Sequence, residues 1–140
     1  MRFEYPVKLT RAVEGGFVVT CRDLPEVVTQ GEDRDDAIEN AEGAVQAAVE
    51  FRVGKGMDLP SPSRMRAGEV LAAVPVLTAL KAALFLAMRR QRGAISALAR
   101  ELGIDEKAVR RMLDPKHPTK APAIERALGL LGHRPVVTVE

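Results

Sequence analysis

The chain has 140 residues, 46% of them hydrophobic, which suits one ordinary domain or two small ones and is too apolar for a disordered chain. Aromatic residues make up 4% and Trp is absent, so the cores must be aliphatic, while the single cysteine, Cys21, excludes an internal disulfide and points to a reducing cytoplasm. Net charge is only +2, but Met1–Val76 carries 9 Lys and Arg against 13 Asp and Glu, a balance of −4, and Leu77–Glu140 carries 12 against 6, a balance of +6. The asymmetry predicts two modules with different partners. The basic half suits a polyanion, because each neutralised phosphate releases counterions, and the acidic half suits a basic protein surface. The longest apolar stretch, Val70–Met88, is interrupted by Pro75, Thr78 and Lys81 and does not read as a membrane span. Met1 leads straight into a strand-like run, so no secretory signal is expected.

In Arg2–Arg11, Phe3, Tyr5, Val7 and Leu9 alternate with polar residues, the period of a half-buried strand. Pro6 within the run predicts an edge or bulged strand. Glu14-Gly15-Gly16 is a hairpin turn, Phe17–Cys21 returns as a second strand, Asp23-Leu24-Pro25 breaks it, and Val27–Thr29 is a short third. Cys21 reads as a half-buried strand residue without a partner base. Asp33 is placed to cap a long helix from about Arg34 to Val53, whose inner face is rich in alanine and can lie close on a sheet. The acids Asp33, Asp35, Asp36 and Glu39 suit the positive end of that helix better than a two-metal nuclease site. Met57–Arg64 is a loop, and Arg66–Val76 reads as a fourth strand. The first module, residues 1–76, is thus an α+β unit of order β-β-β-α-β with its helix on one sheet face.

Pro75–Thr78 reads as a hinge, with Thr78 capping a helix from Ala79 to about Gln91 that Arg92-Gly93 stops. The stretch Ile95–Asp114 does not suit one straight helix. Ala99 is small where a second helix would cross, Gly103 permits the positive φ of a tight turn, and Asp105 can cap that second helix. The second of these short helices carries Lys107, Arg110 and Arg111 on faces left open by Val109 and Met112, the layout of a helix-turn-helix. Residues 77–140 therefore read as an all-α DNA-binding and dimerisation module, with a further helix at Pro122–Leu131 and an extended end at Pro135–Val139. Lys107, Arg110 and Arg111 are the candidates for base edges. Ser96, Lys116, Thr119 and Lys120 suit phosphates, His117 can reach a phosphate from its loop, and Glu106 can accept from a cytosine amino group or cap its helix. A lone helix-turn-helix offers few base contacts, so a homodimer or a higher homo-oligomer is expected, joined through the last helix and Val136, Val137 and Val139. Neither histidine has metal-ligand spacing, no Gly-rich phosphate loop is present, and no cofactor or catalytic residue is expected.

Tyr5-Pro6, Glu14–Val19, Asp23-Leu24-Pro25, Thr29-Gln30-Gly31, Asp36-Ala37 and Asn40-Ala41 succeed one another in an order and spacing that resembles the HicB family of antitoxins. The resemblance extends to Leu113-Asp114-Pro115, His117-Pro118-Thr119 and Ala127-Leu128-Gly129, which are similar to the Cro/C1-type helix-turn-helix of some members. It implies a partial RNase H-like first domain that binds and blocks a HicA-type mRNA-cleaving toxin, and a second domain that represses the toxin–antitoxin operon. The toxin-facing region it implies is Asp23, Leu24, Pro25 and Glu26. This chain departs from the family there, with Cys21-Arg22 where phenylalanine-proline is common and Glu26 where glycine is common. A different reading of the same residues is a stand-alone transcription regulator whose first module senses a small ligand. A pocket-forming core would favour it.

Overall fold

The computed structural model describes residues 1–91 and 93–140. Its elements run β1 (Glu4–Arg11), β2 (Phe17–Thr20), β3 (Val28–Gly31), α1 (Arg34–Gly54), β4 (Glu69–Ala73), α2 (Val76–Arg89), α3 (Ala94–Leu102), α4 (Glu106–Leu113) and α5 (Ala121–Leu130). The fold is mixed α+β, with an antiparallel four-stranded sheet before the run of helices. The chain divides into two compact units, one of residues 1–49 and 59–75, the other of residues 50–58 and 76–140. Among the described residues no helix is long and apolar enough to cross a membrane.

In the first unit the strands are ordered β3-β2-β1-β4. β1 is therefore internal, which rules out the edge strand, one of the two forms that Pro6 predicts. Pro6 lies opposite Leu71 of β4, whereas β2 pairs with β1 only from Lys8 to Arg11, so the proline sits where the strand has a neighbour on one side alone. The inward residues Tyr5, Val7 and Val19 are fully buried, as are Ala37, Ala41 and Val45 of α1. The small alanines let the helix approach the sheet closely, and at Gly31 the approach is tightest. A Cβ there would stand 2.2 Å from the backbone nitrogen of Ala37, so only glycine fits. Asp33 caps α1 as expected, accepting from the Asp36 N–H at 2.8 Å, and Asp36 accepts in return from the Glu32 N–H at 2.8 Å.

Three boundaries differ from the sequence pattern. β3 starts one residue later than expected, because the Val27 N–H closes a turn on the Leu24 carbonyl and is not offered to the ladder. β4 is shorter than Arg66–Val76: the Arg66 N–H and Glu69 close a turn around Gly68 before pairing with β1 begins. Cys21 lies just past β2 rather than in it and is 3% exposed, and burial pushes its thiol pKa up, away from reactivity.

In the second unit α2 begins at Val76, directly after Pro75, where the missing proline N–H costs nothing. Thr78 is consequently inside the helix and not its cap; its hydroxyl is buried and donates to the Glu50 carboxylate at 2.9 Å. α2 ends at Arg89, Arg92 of the expected stop lies outside the described residues, and Gly93, at φ 68°, precedes α3. The helices pack Leu84, Leu98, Val109, Met112, Ile124 and Leu128 into one aliphatic core, as the scarcity of aromatics requires. Beyond α5 the last residues form no regular element, and Val136, Val137 and Val139 are exposed.

Candidate nucleic-acid interface and partner-facing loop

α3 and α4 are joined by Gly103-Ile104-Asp105. Gly103, at φ 69°, donates to the Arg100 carbonyl, and Ile104 donates to the Ala99 carbonyl at 3.0 Å. This pair of bonds satisfies the end of α3 and turns the chain. Asp105 then caps α4, its carboxylate accepting from the Ala108 N–H at 2.7 Å. Val109 and Met112 anchor α4 in the core, while Lys107, Arg110 and Arg111 are exposed, as their spacing requires. Lys116 and Lys120, in the loop after α4, are exposed as well.

The other candidates for nucleic-acid contact are engaged within the unit. The Ser96 hydroxyl donates to one oxygen of the Glu106 carboxylate, and Arg110 donates to the other at 3.3 Å. Glu106 thus links α3 to α4 and steadies Arg110, an ion pair one helical turn apart. Thr119 Oγ1 lies 3.0 Å from both the Lys81 ammonium and His117 Nδ1 and donates to the Arg111 carbonyl at 3.3 Å, so the hydroxyl is held inside its own loop.

Lys81 is the residue that sequence reasoning missed. It is 1% exposed, and its ammonium donates to the carbonyls of Arg111 at 3.2 Å, Asp114 at 2.5 Å and His117 at 2.6 Å as well as to Thr119. Burial pushes its pKa below the usual lysine range, while the charges of Asp114 and Glu50 pull the other way. A signal was present: Leu77, Lys81, Leu84 and Met88 share one helical face, so the lysine occupies a core position of an apolar helix.

In the first unit the loop after β2 separates the four residues singled out by resemblance. Leu24 is fully buried and belongs to the core, so it cannot meet a partner without unfolding. The Asp23 carboxylate takes the Ser63 N–H at 2.8 Å and the Ser63 hydroxyl at 2.5 Å, which ties the loop to the segment before β4. Only Pro25 and Glu26 of the four are exposed. Arg22, next to Cys21, forks onto both oxygens of Glu69 at 2.8 and 3.2 Å and onto the Arg64 carbonyl. The arginine hydrogen bonds, helped by the Arg66 N–H, hold Glu69 down at about 2.

Among the described residues no group of three His, Cys, Asp or Glu could hold a metal ion. A depression beside the hairpin is bordered by Gly15, Gly16, Gln30, Glu32, Asp36 and Asn40. Two of its polar side chains are engaged locally, Asp36 with the Glu32 N–H and Asn40 with the Gln30 carbonyl, each at 2.8 Å.

Fold and site together describe a small two-unit α+β chain, with a hydrogen-bonded loop on its sheet unit and exposed basic groups on its helical unit. The chain belongs to the HicB-like antitoxins of bacterial toxin–antitoxin systems, whose family model matches residues 4–83. It is 34% identical over 128 residues to Antitoxin HicB of Escherichia coli strain K12, covering 91% of this chain and 93% of that one. It is 31% identical over 136 residues to Antitoxin HicB 1 of Photorhabdus laumondii, covering 97% and 86%. Antitoxin HicB of Pseudomonas fluorescens is 28% identical over 139 residues, covering 99% and 94%. These alignments run well past residue 83, so the helical unit is shared with the relatives too.

Proposed function

We propose that this chain is the antitoxin of a type II toxin–antitoxin system, active in the cytoplasm, that neutralises a HicA-type mRNA-cleaving toxin and represses its own operon. Residues 1–76 act as a partial RNase H-like domain that blocks the toxin by occlusion, with no chemistry of its own. Pro25 and Glu26 stand at the toxin-facing loop, and Asp23 and Leu24 hold that loop from within. Residues 77–140 act as a Cro/C1-type helix-turn-helix domain, with α4 as the recognition helix. Lys107, Arg110 and Arg111 read base edges, Lys116 and Lys120 bind phosphates, and Ser96, Glu106 and Thr119 support them. A homodimer brings two such helices to half-sites about 34–36 Å apart.

The observation that carries the reading is family membership over residues 4–83, joined to a capped turn that leaves Lys107, Arg110 and Arg111 exposed on one short helix. Two assays test it. Co-expression with the product of the neighbouring reading frame should yield a complex and abolish that product's RNA decay. A duplex from the chain's own promoter region should bind at low salt. Absence of a copurifying partner overturns the antitoxin role, and indifference to the promoter duplex overturns the repressor role.

A further inference from the structure

Lys81 carries a charge that neither solvent nor any carboxylate partner within hydrogen-bond reach accounts for. Its acceptors are three backbone carbonyls and one hydroxyl, all between Arg111 and Thr119. An ammonium has three N–H donors, so all are used. Arg111 supplies a carbonyl from the last turn of α4, where a cation is favoured by the helix dipole. Asp114 and His117 supply theirs from the adjoining loop, and that loop closes on itself through His117 N–H to the Asp114 carbonyl at 3.1 Å and Thr119 N–H to the His117 carbonyl at 2.8 Å. The loop therefore wraps the ammonium. Lys116 lies within it and Lys120 ends it, both exposed.

We propose that Lys81 is a positioning residue for DNA binding: by gathering the Arg111, Asp114 and His117 carbonyls, it holds the phosphate-binding Lys116 and Lys120 in register with the base-reading arginines of α4. The proposal rests on the DNA-binding reading above. An apolar side chain of similar length would still fill the core. It would remove the one donor that the three carbonyls share: each would keep a backbone donor of its own, from the Asp114, His117 and Thr119 N–H groups, but the loop would lose its tie to α2 and be freer to shift. Lys116 and Lys120 would then lose their fixed distance from α4.

The test uses the full chain and a duplex carrying its own promoter region, with affinity measured against salt well below the unfolding temperature. Lys81→Met should weaken binding about tenfold or more, and the slope of log K against log salt should become shallower by about one to two, since each lost phosphate contact removes roughly 0.9. Lys116→Ala should weaken the wild type several-fold and have no further effect in the Lys81→Met background. Val45→Ala, a core change in the first unit, should lower the melting temperature and leave affinity and slope unchanged. If Lys81→Met does not fold, Thr119→Val removes one acceptor and should weaken binding about threefold with a shallower slope. Wild-type affinity and slope in Lys81→Met, or in Thr119→Val where the former is unfolded, would overturn the proposal. So would an undiminished Lys116→Ala effect in the Lys81→Met background. Failure of the wild type itself to bind is the distinct result that overturns the DNA-binding reading and this proposal with it.

Discussion

Two arginines in this chain show how the same side chain serves opposite ends. Arg22 is committed to Glu69 and the Arg64 carbonyl, so its guanidinium is a strut of the first unit. The Glu69 pKa, about 2 in the folded chain against an ordinary 4.5, makes the strut pH-dependent. Because the folded value is the lower one, its stabilisation is present above about pH 4.5 and is lost as pH falls toward 2. Glu69→Gln should flatten that acid limb in a thermal-melt series at fixed salt; an unchanged pH profile would assign the acid sensitivity elsewhere. Arg110, by contrast, is exposed and paired with Glu106 one turn away, which contributes about 0.3–0.5 kcal/mol. In the proposed DNA-binding reading it exchanges that partner for a base edge. Arg110→Ala should therefore leave the melting temperature nearly unchanged, weaken promoter binding by about 1–3 kcal/mol and relax preference at one base pair. Competition with promoter duplexes altered one pair at a time would reveal it.

Among the elements, close approach and capping decide the architecture more than propensity does. α1 reaches β3 because Gly31 has no side chain where the Ala37 backbone passes. Gly31→Ala should destabilise the first unit by about 3 kcal/mol, the upper end of what overpacking costs, and should reduce toxin capture in a co-expression pull-down. Wild-type melting would mean the helix can shift outward freely. α4 is only eight residues long, too short to persist alone, so its form depends on Asp105 at one end, the Lys81 ammonium at the other and the two buried anchors between.

For the chain in its entirety, opposite charge balances in the two halves suit two kinds of partner, a basic protein and a polyanion. The proposed dimer bears on the second, because doubling the base contacts is what lifts a short helix to useful specificity. Val136, Val137 and Val139 are apolar, exposed and outside any regular element, a combination that suits pairing with a second copy. Ending the chain after Arg134 should shift light scattering from dimer to monomer and weaken promoter binding, while a truncated chain that stays dimeric would place the interface on α5 alone.

Much of this is legible in the residue order because it is periodic or locally capped. Alternation from Phe3 to Leu9, the Gly15-Gly16 turn, Asp33 and Asp105 as caps and Gly103 as a turn are short-range signals, each satisfied within a few residues of where it is written. The family resemblance over residues 4–83 is equally local, a matter of order and spacing. Long-range pairing is not legible. Pro6 marks an edge strand until β4, more than sixty residues on, comes to lie beside it. Thr78 looks like a cap until Glu50 meets its hydroxyl, and Leu24 looks like a recognition residue until the core closes over it. Lys81 looks like an interruption of an apolar run, yet its acceptors lie 30 to 38 residues away. Residue order alone marks most of the turns, caps and amphipathic faces, Thr78 excepted, because those depend on backbone groups within one or two turns. Which polar side chains are spent holding the fold, and which are left to meet a partner, is settled only when the chain has folded, because that depends on acceptors brought together from distant parts of it.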